Sequence, residues 1–363
     1  MNRQTARAWV AWYVAPSGDD SWNCQSEATA CRTIQAAINK AVDGDSVYVL
    51  TGTYSAATNG ESFPITITNK SLEIFGNSST TTIVDAAGSG QNIFSASGNS
   101  IYVRITAFTL QGGNRAIEHI GGSPPDFHIF GLVSYNVIRN NSVGIYTNNS
   151  IAEIKKNSFS GNTQSAIHNV NYNPSISEND ISWNGSGGTS AAIYNDHACP
   201  VIVNNLLGWN NGTGVYNNSS HPIITNNTIA FNYGGSGVAN FNSSNPQITN
   251  NIITSNGVYG IIAQSGSVPL GTYNNVWANV WGDYSGVSAG TGSISADPRF
   301  VSLLDAHLLC SSPAINAGNN SAPRVPFFDF DGNPRAVGGA VDMGAYEKQS
   351  DLFCPIHLPL ILK

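Results

Sequence analysis

Lys155, Glu178 and Asp180 are the residues whose types and spacing come nearest to acid–base chemistry. Lys155, with Lys156 beside it, falls in one repeat of the sequence; Glu178 and Asp180 fall in the next. Taking a proton from beside a uronic acid carboxylate needs a base, and a cation to neutralise that carboxylate. A Lys of lowered pKa can serve as the base, and clustered Asp carboxylates can hold calcium. Glycoside hydrolysis would instead use two carboxylates about 5–9 Å apart, and strand alternation would turn Glu178 and Asp180 the same way. A cross-repeat salt bridge on a solvated face is the plainer reading, and the weightier one.

A second set is aromatic. Tyr146, His168, Tyr194 and Tyr216 each follow an aliphatic residue at the same point of successive repeats, and Ala239 and Ile262 continue the series. If Ile145, Ile167, Ile193, Val215, Val238 and Ile261 point inward, the next residue in each repeat points outward. The result would be a flat surface of rings suited to sugar stacking, against the alternative that the rings only shield a sheet. Asp196 and His197, in NDHACP, would lie beside His168 and could do acid–base work or hold a metal; a plain surface turn explains them as well. His221 begins a similar turn at SSHP.

These residues need a scaffold that returns them to register. Asn136, Asn157, Asn179, Asn205, Asn227, Asn251 and Asn275 recur every 21 to 26 residues, each with an apolar residue two positions on. Around six of them a second Asn follows four or five positions on, then a small residue and an aliphatic one. Such a period marks a solenoid, whose repeats bury their apolar side chains only by stacking on one another. The segments between the Asn residues are short, alternating and rich in Ile, Val, Phe and Tyr, so they read as strands. Asn and Gly tolerate the left-handed turns between strands, and stacked Asn side chains can bond as a ladder. The fold expected is all-β: a parallel β-helix built as a single-stranded solenoid.

The chain has 363 residues, 37 Gly, 10% charged residues and a net charge of −7. No basic footprint for nucleic acid is present, and no run of 18 apolar residues could span a membrane. The apolar stretch in MNRQTARAWVAWYVAPSG is too short for a signal peptide, so any signal is expected to have been removed. Three parts make one continuous domain: a cap and irregular first coils over 1–113, regular coils over 114–292, and a C-terminal cap over 293–363. In the first part TIQAAINKAV reads as an amphipathic helix over Thr33–Val42, capping the open apolar end, with TGTY as a turn. Cys24 and Cys31 flank a short polar loop and suit a disulfide; Cys310 and Cys354 could form a second, leaving Cys199. An oxidised chain suggests secretion. Asp329, Asp331, Asn333, Asp342 and Glu347 have a calcium-loop composition without EF-hand spacing, and a structural cap is the default.

The opening YVAPSGDDSW…CRTIQAAINKAVDGDSVYVLTGTY resembles the N-terminal cap of bacterial right-handed parallel β-helix proteins, among them polysaccharide lyases of the pectate-lyase-like superfamily. The ending DPRF…HLLCSSPAINAGN…FDFDGNPRAVGGAVDMGAYE resembles the C-terminal segment of secreted β-helix proteins of choice-of-anchor type. The resemblance implies a right-handed coil, a secreted or cell-surface location and an extracellular polysaccharide or cell-envelope partner, with calcium the one cofactor to consider. The paired Asp with Gly-His-Gly of polygalacturonases, the Asp-Pro-His-Asp of mannuronan epimerases and the arginine-rich strand of calcium-dependent pectate lyases are absent. Two functions stand: a protein that binds, and could cleave, a polysaccharide along an outward face of the coils, or a non-catalytic structural or adhesive protein open to self-association.

Overall fold

The computed structural model describes residues 9–122 and 128–349. Three parallel sheets of 11, 10 and 10 strands run the length of the molecule, and each coil after the opening strand Ala11–Val14 contributes one strand to each. One coil is Ile129–Ser134 in the first sheet, Val137–Arg139 in the second and Val143–Asn148 in the third. The next coil repeats it in register, with Ile145 opposite Ile167 and then Ile193. The aliphatic column expected to face inward does so: Ile145, Ile167, Ile193, Val215 and Val238 are fully buried and Ile261 nearly so. The solenoid is a parallel β-helix.

Regular pairing starts well before residue 114. Ser46–Val49, Leu72–Gly76 and Ile101–Thr106 already stack in the first sheet, and Gly52–Tyr54, within the expected TGTY turn, opens the second. These coils escape the Asn pattern because other residues form their corners; Thr82, for example, accepts the Asn77 N–H on its hydroxyl.

Asn side chains hold the corners. Between the first and second sheets Asn136, Asn157, Asn179, Asn205, Asn227 and Asn251 form a buried chain in which each Nδ2 donates to the next Oδ1 at 3.0–3.1 Å. The chain ends on Asn274 and not on Asn275. Asn274 has the pattern's apolar Val276 two positions on, and Asn275 pairs across from Ile252 as the first strand residue. A second chain, Asn141 to Asn279, runs five residues further along each coil, between the second and third sheets. Each corner is entered through a residue with left-handed backbone, such as Glu178 (φ 55) and Trp183 (φ 62).

The capping helix is Ile34–Lys40, shorter than the sequence pattern suggested, and it buries Ile34, Ala37 and Ile38. The coils tie down both ends. Thr33 Oγ1 accepts the Ala36 N–H, and the Glu61 carboxylate accepts those of Ile34 and Gln35 at 2.7 and 3.1 Å. Lys70 donates to the Ile38 and Ala41 carbonyls. Burial pushes Glu61 up to about 7, from an ordinary 4.5. A folded pKa above the unfolded one gives stability that is complete below about pH 4.5 and lost as pH rises through about 7. Amide exchange at Ile34 and Gln35 should therefore slow between pH 8 and 5 relative to intrinsic rates, and Glu61→Gln should abolish that change. Cys24 and Cys31 form a disulfide beside this cap. The Cys310–Cys354 pairing lies outside the described residues, because Cys354 does.

After the last coil the chain turns back as a strap over the corner between the first and second sheets. Asn204, Asn226 and Asn250 donate to the Phe328, Asp342 and Asn319 carbonyls, and Ile252 packs with Leu308, Ala314 and Met343. Asp329, Asp342 and Glu347 of the strap accept from backbone donors. Asp329 accepts the N–H groups of Asp331, Asn333 and Glu347, and Asp342 those of Asn316 and Lys348. These bonds tie the backbone of the strap together.

Candidate functional site

Glu178 and Asp180 do not face the same way on one strand. Glu178 is a corner residue, Asn179 turns into the core, and Asp180 begins the second-sheet strand Asp180–Ser182. Glu178 receives Lys156 at 3.2 Å and Lys155 at 3.8 Å, a cross-coil ion pair at a partly exposed corner. Burial of Asp180 raises its pKa, opposed by a hydrogen bond from Ser182.

The aromatic column is in register across the third sheet, from Tyr146 through His168 and Tyr194 to Tyr216. Its rings, however, are occupied with one another. Tyr194 and Tyr216 lie 4.9 Å apart at 10°, and Tyr216 stacks on Phe241 at 5.2 Å. Rings lying side by side in one plane would collide at such a separation, so these are stacked face to face and present edges outward. His168 packs edge-on against both Tyr146 and Tyr194, and Arg115 covers the Tyr146 ring at 3.6 Å. The structure thus forms a ring stack where a flat sugar platform was expected. Burial lowers the His168 pKa, Asp196 opposes that, and Arg115 adds to it. Asp196 Oδ1 is bonded by His197 Nδ1 and Asn218 Nδ2, both at 2.8 Å.

A cleft of about 330 Å3 lies on another face, between the outer side of the second sheet and the strap. Ser158, Ser160, Asp180 and Ser182 line the coil side; Leu303, Leu304, Asp305 and Tyr346 line the strap side. Along its edge runs a second ring stack: Trp183 on Trp209 at 5.4 Å and 11°, then Trp209 on Phe231 at 4.7 Å and 16°. In the preceding coil Gly161 holds the position of Trp183, just before the ladder residue Asn162, with φ 65. Without a side chain there, the outer face of Trp183 has no ring upon it, and the residue is 54% exposed.

The cleft's carboxyl groups sit in contrasting surroundings. Burial raises Asp180. Asp305 is lowered: hydrogen bonds from His307, and its charge, outweigh the effect of burial. His307 is held from both sides, Nδ1 to Asp305 at 2.5 Å and Nε2 to Asp331 at 2.7 Å, and lies on the Tyr346 ring at 3.8 Å. Its pKa is raised, the two carboxylates overcoming burial. No group of three or more His, Cys, Asp or Glu is arranged to hold a metal among the described residues.

Of the expected site residues, only Asp180 reaches this cleft. The sequence did carry one unused signal: WN, WN and FN at Trp183, Trp209 and Phe231 place an aromatic just before successive Asn residues of the second ladder. Asp305, His307 and Tyr346 arrive from far along the chain and have no local signature.

Residues 128–276 match the family described as right handed beta helix region, so the class of protein is a right-handed parallel β-helix. Among solved structures, pectate lyase Pel9A is similar with 18% identity and a TM-score of 0.65, over 94% of this chain and 97% of that one. A rhamnogalacturonan lyase is similar with 15% identity and a TM-score of 0.48, over 81% and 91%. The A-module of an Azotobacter vinelandii mannuronan C-5 epimerase gives 16% and 0.47, over 73% and 95%. At these identities the likeness is one of fold. None of the curated proteins matches the chain. No helix among the described residues is long and apolar enough to cross a membrane.

Proposed function

We propose that this protein binds an extracytoplasmic polysaccharide in the cleft between the second sheet and the strap. The observation that carries the proposal is the open face of Trp183 beside Asp180 and Asp305. A ring face takes the CH side of a sugar, and flanking carboxylates and hydroxyls take its OH groups. Cleavage is within the chemistry of the site, because two carboxyl groups shifted in opposite directions, Asp180 up and Asp305 down, line one cleft, and glycoside hydrolysis uses a pair of carboxyl groups in contrasting surroundings. The disulfide supports an oxidising compartment.

The structural or adhesive reading draws on the other faces, where the Tyr194–Tyr216–Phe241 stack and the Lys156–Glu178 pair are engaged internally. Affinity electrophoresis against plant, algal and bacterial glycans separates the two. At least one glycan should retard the protein, and Trp183→Ala should weaken that binding roughly tenfold or more while the melting curve stays nearly unchanged. Retardation that survives in Trp183→Ala would move the contact elsewhere. A panel with neither retardation nor released products would leave the structural reading.

A further inference from the structure

We infer that the cleft selects uncharged sugar chains and rejects polyuronates; the inference rests on the glycan-binding reading above and names its substrate class. A polyuronate carries one carboxylate per sugar and needs a cation close to each bound residue. Among the described residues no Lys or Arg lines the cleft. Arg299 lines the recess on the far side of Phe231 and donates to the Ser311 carbonyl at 3.0 Å. Lys155 and Lys156 are held at the outer corner by Glu178. His307, whose basicity is raised, already lies between Asp305 and Asp331.

The groups that do face the cleft are acceptors and small hydroxyls. Asp180 and Asp305 can each accept from a sugar OH, and Ser158, Ser160 and Ser182 can donate or accept. A neutral chain satisfies these groups while its apolar side lies on Trp183. A uronate would instead bring its charge against two carboxylates. Burial pushes the Tyr346 pKa up first, and Asp331, Asp305, Asp180 and Asp329 each push it further, as a negative surrounding would.

Calcium bridging is the physical route by which acidic clefts can still hold polyuronates. Here Asp180 Oδ1 accepts from Ser182 at 2.5 Å and Asp305 Oδ1 is bonded to His307, which leaves one oxygen of each carboxylate facing the cleft; the calcium arm of the test therefore decides whether that route operates.

The test is calorimetry on the full chain at pH 7 and low salt, with and without millimolar calcium. The neutral ligands are xylohexaose, cellohexaose and mannohexaose; the anionic ones are hexagalacturonate and hexamannuronate. At least one neutral ligand should bind about tenfold or more tightly than either uronate, with or without calcium. The variant Asp180→Asn/Asp305→Asn, checked for an unchanged circular dichroism spectrum, should narrow that gap. A uronate that binds as tightly as the best neutral ligand, in either condition, overturns the inference; if Trp183→Ala then abolishes that uronate's binding, the cleft remains the glycan site with the opposite preference. A gap that persists in the double variant also overturns it, since the selection would not be electrostatic. Absence of binding by every ligand fails the glycan reading and this inference with it.

Discussion

Replacing Asn205 by Ala is expected to lower the stability of the folded chain by about 3–5 kcal/mol, although it removes no aliphatic contact. Asn205 Oδ1 accepts both the backbone N–H and the Nδ2 of Asn179 at 3.0 Å. Its own Nδ2 donates to the Ile176 and Val203 carbonyls at 2.9 Å and to Asn227 Oδ1 at 3.0 Å. The side chain is fully buried, so water cannot take over these bonds once it is gone. Asn205→Asp separates bonding from volume. It keeps an acceptor for Asn179 but points an oxygen at two carbonyls, and this arrangement needs a proton. The folded pKa of that Asp should stand above the ordinary ~3.9, so its contribution is present below that value and lost as pH rises through the folded one. The Asp variant should unfold more easily at pH 7 than at pH 4 relative to the parent, as read by denaturant melts. A cost below about 1 kcal/mol for Asn205→Ala would mean that the ladder is decoration on an aliphatic core.

That same ladder made the fold legible in the sequence. A coil corner accepts few residue types, because it demands a left-handed entry followed by a side chain that can accept from one coil and donate to the next. Asn meets the second demand, so the period shows in the letters. The inward column was equally legible, since alternation on a strand leaves Ile193 and Tyr194 no choice but opposite faces. The slip to Asn275 came where two Asn stand together and the letter alone does not say which one turns inward. The first coils were hidden because their corners use residues such as Thr82.

The site was much less legible, for two physical reasons. Spacing tells which residues share a column but says nothing of ring orientation. Coils stacked at the strand separation of about 4.8 Å bring rings to stacking distance, so a column of neighbouring aromatics closes upon itself. Only a ring at the end of a stack keeps a face, and Trp183 is such an end because the coil before it has Gly161. The second reason is the strap. Asp305 and Tyr346 become neighbours of Asp180 only through tertiary folding across more than a hundred residues, which no repeat period records.

The strap's own anchorage sets the last expectation. Arg335 is buried and joins the end of the strap to the coils: its Nη2 donates to Asn204 Oδ1 on the coils and to the Gly344 and Ala345 carbonyls, with Glu347 at 3.6 Å from Nη1. Arg335→Met keeps length and apolar bulk but leaves Glu347 without its cation, a change that costs about 3–5 kcal/mol at a buried pair. Burial already pushes Glu347 up to about 7, against the downward pull of Arg335, so the variant's carboxyl should rise further. A raised carboxyl contributes stability at low pH and loses it as pH rises, so the variant strap should loosen more at pH 8 than at pH 5. The damage should stay local, because each coil is bonded to its neighbours through ladders that do not pass through Arg335. Hydrogen exchange should therefore show protection lost over 300–349 and kept in the third-sheet strands. Glycan binding should fall with it, because Leu303, Leu304, Asp305 and Tyr346 form the strap side of the cleft. If the coils lose protection together with the strap, the two form one cooperative unit. If binding survives while strap protection is lost, the coil side of the cleft is sufficient on its own and Asp305 has no part in holding the sugar.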